Sequence, residues 1–334
     1  MALVTQGESV VSVNELSVSY STVYGTVRAL NKVSISIASG ESVAIVGESG
    51  CGKSTLGHSI VRLLPQNASY DSGSILLLGQ DVVQISNRSA AKMRGRDAFM
   101  IFQDPLNSLN PVKRVDVQVL EAIRMKAKHD GKPYDEKEAY QEAVKGLQDV
   151  RMPDPQKILR RYPHQLSGGQ IQRVVIAIGL LMKPKLLIAD EPTSALDVTI
   201  QAQVLKLLHE LQKEYNMSII FITHDINVAY AVSDRMVVMY AGEIAESAPS
   251  EQLTRNALHP YAQALIKSIP RITKKEGRLT AIEGAPPNML APPAGCRFHP
   301  RCPMVMDVCK VKSPVPIEKG DDNVRCFLYD GVGS

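Results

Sequence analysis

The N-terminal stretch of the chain alternates apolar and polar residues with a period of two. Val10-Val11-Ser12-Val13, Leu16-Ser17-Val18-Ser19-Tyr20 and Val33-Ser34-Ile35-Ser36-Ile37 each set one apolar face against one polar face, which predicts an antiparallel sheet. Ser39-Gly40-Glu41 reads as a turn, and the apolar run Ser42-Val43-Ala44-Ile45-Val46 as a buried parallel strand. From Asn107 to Arg161 the chain is rich in Lys, Glu, Gln and Ala. Helical spacing at Val117, Leu120, Ala122 and Ile123, and again from Ala139 to Val150, predicts a mostly helical insertion. Leu186–Ala189 and Ser218–Ile222 read as two more buried strands. Between them Thr199–Tyr215 carries Val204, Leu207, Leu208 and Leu211 at the spacing of an amphipathic helix. Strands alternating with helices predict an α/β core with a parallel sheet.

From Pro249 the pattern weakens, and eight prolines lie between Pro286 and Pro316. That density disfavours regular helices and inner strands. A segment so poor in core-forming residues needs a staple, and Cys296, Cys302, Cys309 and Cys326 fall within it. No internal repeat is present.

Composition changes this picture little. The 334 residues are 44% hydrophobic and 22% charged, with a net charge of +4. These are values of a globular protein with a real core, and they argue against a nucleic-acid partner, which calls for clustered basic residues. The longest apolar run, Val174–Met182, is too short to span a bilayer, and no basic residue precedes Arg28 as a signal peptide would require. The expectation is a cytosolic chain that works at a membrane only through partners.

Candidate chemistry begins directly after the strand ending at Val46. Gly47-Glu48-Ser49-Gly50-Cys51-Gly52-Lys53-Ser54 fits G-x-x-x-x-G-K-[ST], placed between a strand and a helix. Its glycines let backbone N–H groups wrap phosphate oxygens, and the following helix adds its positive end. Lys53 is suited to the β- and γ-phosphates and Ser54 to Mg²⁺. Cys51 occupies an unspecified position, as a serine stand-in open to oxidation. Leu186–Ala189 runs into Asp190-Glu191, which places one carboxylate beside the metal and a second where it can polarise the attacking water.

Leu166-Ser167-Gly168-Gly169-Gln170 completes a set that, from about residue 10 to 245, resembles the ABC ATPases. The resemblance implies a P-loop core with an antiparallel β subdomain and a helical subdomain. It also implies that Ser167, Gly168, Gly169 and Gln170 close over the γ-phosphate held by a second ATPase subunit. By the same resemblance Gln103 touches Mg²⁺ and the nucleophilic water, Asp197 lies in the loop linking the two sites, and His224 reaches the γ-phosphate. Catalysis is thus assigned to Glu191, His224 and Gln103, and the metal to Ser54, Gln103 and Asp190. Nucleotide contacts fall to Gly47, Glu48, Ser49, Gly50, Cys51, Gly52, Lys53, Ser54 and Thr55. Tyr20 is the candidate for stacking on adenine, with Tyr24 as alternative. About 60 residues separate Gln103 from the signature, too few for the coiled coil of repair or chromosome ATPases.

Arg161-Tyr162-Pro163-His164-Gln165, Asp197-Val198-Thr199-Ile200-Gln201-Ala202-Gln203 and the tail string Gly295-Cys296-Arg297-Phe298-His299-Pro300-Arg301-Cys302-Pro303 are similar to the peptide/nickel import class, and most to its D-type ATPases. That resemblance implies residues 1–250 as nucleotide-binding domain, with the helical subdomain at about 105–165, and 251–334 as a small Cys-containing domain. It implies an F-type ATPase partner, two transmembrane permease subunits, an external substrate-binding protein, and a place on the cytoplasmic face of the membrane. The cargo implied is oligopeptides or dipeptides, with oligosaccharide as alternative. The four tail cysteines, with 5, 6 and 16 residues between them, lack C-x₂-C pairs. The expectation for them is a [4Fe–4S] cluster, with zinc (His299 included), free thiols or a disulfide left open.

Overall fold

The computed structural model describes residues 9–104, 107–193, 198–268 and 282–330. Two long strands, β1 (Ser9–Thr22) and β2 (Gly25–Ala38), are followed by β3 (Ser42–Val46) and helix α1 (Lys53–Ile60). Next come β4 (Ala68–Leu77), β5 (Gln80–Asp81), α2 (Asn87–Arg96) and β6 (Ala98–Ile101). Helices α3 (Val115–His129), α4 (Glu136–Asp149) and α5 (Pro155–Leu159) occupy the Lys/Glu/Gln/Ala-rich stretch and lead to α6 (Gly168–Leu181) and β7 (Leu186–Asp190). The chain continues through α7 (Val198–Tyr215), β8 (Ser218–Thr223), α8 (Ile226–Val232), β9 (Arg235–Tyr240) and β10 (Glu243–Pro249). After α9 (Ser250–Asn256) and α10 (Pro260–Lys267), the tail holds α11 (Asp307–Val311), β11 (Ile317–Lys319) and β12 (Asp322–Val324).

These elements sort into two compact units, one built on Gln84–Ile220 with Ala38–Glu41, the other on Val11–Ile37, Ser42–Val83 and the chain from Phe221. In the first, β6 and β7 pair in parallel, Ala98 opposite Leu186 through Ile101 opposite Ala189. Helix α6 buries Val174, Ile176 and Ala177, and Gly179 sits so close to the Phe99 ring that a Cβ there would come within 2.8 Å of it. The Asp135 carboxylate caps α4 by accepting the Lys137 and Glu138 N–H groups at 2.9 Å. Val204, Leu207, Leu208 and Leu211 of α7 are all buried, as their spacing predicts.

In the second unit an antiparallel sheet runs β2-β1-β4-β5. The expected break between Val13 and Leu16 is a register irregularity inside one continuous strand, with Glu15 in the left-handed region at φ 47°. Strand β3 is buried along its whole length and pairs in parallel with β9, Val43 opposite Arg235 through Val46 opposite Val238. Strand β10 then runs antiparallel to β9, β12 to β10 and β11 to β12, so the sheet is mixed.

Between Pro286 and Pro316 the helices are only the His299–Arg301 turn and the five-residue α11, while α9 and α10 form ahead of that stretch. Pro260 stands in the first turn of α10, where a missing N–H costs nothing and the fixed φ favours the helix. Just ahead of it the buried Glu246 accepts the N–H groups of Leu258 and His259 at 2.8 and 2.7 Å, and His259 Nδ1 accepts the Tyr261 N–H at 3.0 Å. Burial pushes the Glu246 carboxyl up to about 7 and holds the His259 imidazole down at about 4. Between the ordinary carboxylate value and pH 7 the folded state keeps a proton on Glu246 that the unfolded chain has released. Acidification in that window thus favours folding, and the penalty is fully present above about 7. His259 acts in the opposite sense between about 4 and 6.5, where the unfolded chain takes up the proton first. Glu246→Gln, measured by urea denaturation from pH 8 to pH 5, is expected to lose stability relative to wild type as pH falls, by about 2 kcal/mol across that range. A difference independent of pH would mean that Glu246 titrates as an ordinary carboxylate.

Candidate functional site

The phosphate-loop sequence forms the turn joining β3 to α1. Two positions demand glycine by close approach. A Cβ on Gly52, whose φ is 103°, would lie 2.6 Å from Ala29 O, and one on Gly47 would lie 2.2 Å from Met239 O. Inside the turn Lys53 is buried, and its Nζ donates to Gly47 O at 2.8 Å and Glu48 O at 3.0 Å. Gly52 ends the loop as the N-cap of α1 and offers no side-chain cap.

The buried Tyr261 hydroxyl accepts the Glu48 N–H at 3.0 Å. Arg301 forms a two-pronged ion pair with the Glu48 carboxylate, Nη1 to Oε2 at 2.7 Å and Nη2 to Oε1 at 3.0 Å. Neither contact was anticipated from sequence, because the partners lie more than 200 residues from the loop. Tyr20 is tied to the start of α1 through a 3.1 Å hydrogen bond between its hydroxyl and Thr55 Oγ1, whereas Tyr24 is exposed in the β1–β2 hairpin. His224 is exposed at the end of β8, just before α8, which Asp225 caps by accepting the Asn227 N–H at 2.8 Å. Cys51 is buried, and burial pushes its thiol up in spite of the neighbouring Lys53.

The other unit holds the carboxylates and the signature. Asp190 is buried as the last residue of β7. Glu191, directly after it, adopts a left-handed backbone at φ 43°, a strained conformation for a non-glycine residue. Its Oε2 accepts a 2.8 Å hydrogen bond from Gln103 Nε2, so the structure brings these two candidates together. Ser167 caps α6: Gln170 N–H donates to Ser167 Oγ at 3.3 Å and Ser167 N–H to Gln170 Oε1 at 3.1 Å. Gly168 and Gly169 form the first turn of that helix, and a Cβ on Gly169 would meet Ile200 at 2.9 Å. Asp197 lies outside the described residues.

A family model described as "ABC transporter" matches residues 30–194, and one described as "Oligopeptide/dipeptide transporter, C-terminal region" matches 245–309. The chain is 45% identical over 97% of its length to the dipeptide transport ATP-binding protein DppD of Bacillus subtilis, covering 96% of that protein. The chain belongs to the ABC transporter ATP-binding proteins of the oligopeptide/dipeptide class. It is also 41% identical to the oligopeptide transport ATP-binding protein OppD of Escherichia coli, over 93% of this chain and 90% of that one. Among solved structures it is similar to the dimeric, post-hydrolysis ATP-binding cassette MJ0796 bound to ADP and Pi, with TM-score 0.64 and 27% identity, over 72% of this chain and 98% of that one.

As an ABC ATPase the chain hydrolyses ATP with Mg²⁺, and its phosphate loop fits that ligand: a buried ammonium, an uncapped helix N-terminus, and glycines where a side chain would collide. The tail cysteines correct the iron–sulfur expectation. Cys296, Cys302, Cys309 and Cys326 are free and line one small apolar cavity beside His259 and Phe298. Among the described residues no group of three or more His, Cys, Asp or Glu is placed to hold a metal ion. Burial is the main cause that pushes the Cys296 thiol up to about 12 and raises those of Cys302 and Cys326. Spacing brought the four near one cavity, but its apolar lining makes them packing thiols.

These thiols are expected to react with iodoacetamide at pH 7.5 at least tenfold more slowly in the native protein than in guanidinium, where all 5 cysteines modify. Equal native and denatured rates would mean that burial does not shield these thiols.

Proposed function

We propose that this ATPase energises uptake of oligopeptides or dipeptides across the cell membrane. The observation that carries the motor role is the Gln103–Glu191 hydrogen bond at the end of the buried strand β7. It places a carboxylate, backed by an amide, directly after a buried strand that ends in Asp190, the carboxylate pair that phosphoryl transfer in a P-loop enzyme calls for. Peptide cargo is supported by the named relatives and by the C-terminal region match at 245–309.

In this reading Lys53, the Gly47–Thr55 backbone and the α1 N-terminus hold the phosphates, and Tyr20 packs against adenine. Ser54, Asp190 and Gln103 would hold Mg²⁺, which would offset the negative charge that develops on the phosphates. Glu191 Oε2 takes the proton from the attacking water while Gln103 orients the carboxylate. His224 donates to the γ-phosphate. Ser167, Gly168, Gly169 and Gln170 complete the site of a second ATPase subunit, an F-type paralogue, and Asp197 links the two sites. The dimeric state of the similar cassette supports that arrangement.

No helix among the described residues is long and apolar enough to cross a membrane. Residues 1–250 serve as the nucleotide-binding domain, and the helices at about 105–165 dock the subunit onto two permease subunits at the cytoplasmic face. An external binding protein delivers the peptide.

Glu191→Gln is expected to bind Mg·ATP within about threefold of wild type while losing turnover by at least about a hundredfold. Cells carrying it in place of the wild-type gene should stop taking up a labelled dipeptide and tripeptide but not free amino acids. Normal turnover would remove Glu191 as general base, and unchanged peptide uptake would remove the cargo assignment.

A further inference from the structure

The contacts around Glu48 come from an unexpected source. Its carbonyl is held by Lys53 within the loop, but its N–H is held by Tyr261 and its carboxylate by Arg301, both beyond the cassette's own motifs. Arg301 stands on a short turn, His299–Arg301, between Cys296 and Cys302. Its side chain is 5% exposed, and every guanidinium N–H has an acceptor. Nε donates to Glu283 O at 2.9 Å. Nη1 reaches Glu48 and the Tyr240 hydroxyl (3.3 Å), and Nη2 reaches Glu48 and Ile282 O (3.3 Å). The same tail string supplies a second brace. Arg297 donates to Ala241 O and pairs with Glu243 at 3.3 Å, next to Gly242, whose N–H donates to Cys51 O at 2.8 Å. Of two arginines four residues apart in sequence, Arg301 thus pairs directly with the phosphate loop at Glu48, and Arg297 braces the turn whose Gly242 bonds Cys51.

The chemistry gives this arrangement a purpose beyond packing. Glu48 puts a carboxylate in a loop that must accept a polyanion, and an unpaired negative charge there repels the phosphates. A planar, fully hydrogen-bonded guanidinium cancels that charge and fixes the carboxylate in one direction.

We propose that Arg301 is a positioning residue for nucleotide binding: it neutralises and orients Glu48 so that the phosphate loop presents its amides to the triphosphate. This rests on the assignment of the loop as the ATP site. The C-terminal extension then becomes a working part of the nucleotide pocket.

The test is Mg·ATP binding by the full-length chain, by calorimetry, for wild type, R301Q, E48Q and the double variant. R301Q is expected to bind about tenfold more weakly, with a penalty that shrinks as ionic strength rises. The double variant is expected to recover to within about threefold of wild type, because removing the Glu48 charge removes the need for its partner. A merely structural Arg301 would leave the double variant at least as weak as R301Q, and that result overturns the proposal. So does wild-type affinity in R301Q. Should R301Q fail to fold, R301K serves, with about a threefold loss that E48Q again relieves. A wild-type chain that binds no ATP would instead strike at the nucleotide site itself.

Discussion

The constraint on which the nucleotide site depends is the buried ammonium of Lys53. A cation taken out of water must be surrounded by oxygen atoms, and here Gly47 and Glu48 turn their carbonyls inward to meet it. That backbone path needs glycine where the chain passes Ala29 and Met239, and it needs a rigid anchor at both ends. The anchor on one side is β3, buried along its length against β9. On the other it is α1, whose leading amides the loop leaves without a side-chain cap.

A different kind of strain marks the other unit. Glu191 is held in a left-handed conformation directly after a buried strand, a geometry that costs about 1–3 kcal/mol and persists only when neighbours enforce it. Its hydrogen bond to Gln103 joins the ends of the two parallel strands β6 and β7, so the side chains keep their relation as long as that ladder holds.

Much of this was legible in the sequence because the relevant signals are local. The apolar run Ser42–Val46 followed by the glycine-rich string specified a strand, a turn and a helix within about a dozen residues. The spacing of Val204, Leu207, Leu208 and Leu211 specified the buried face of α7. The tail resisted for two physical reasons. Its helices α9 and α10 span only 7 and 8 residues, too short to show a period, and Pro260 there starts a helix instead of ending one. Ion pairing between positions 253 residues apart leaves no periodic trace, so the Arg301–Glu48 contact was invisible. Cysteine spacing, in turn, reports proximity but not the polarity of the cavity the thiols face, which is why it misled about metal.

Strand β12 pairs with β10 along Glu246 and Ser247, and β11 covers β12 in turn. A strand left at the edge of a sheet presents a row of unpaired backbone groups, the usual template for unwanted association. The tail hairpin closes the flank that β10 would otherwise leave open. A cassette trimmed at residue 250 would keep every motif for ATP, yet it would carry a sticky sheet margin into solution. The extension therefore also acts as a guard on solubility, and minimal versions of this protein are best cut after the hairpin, not before it.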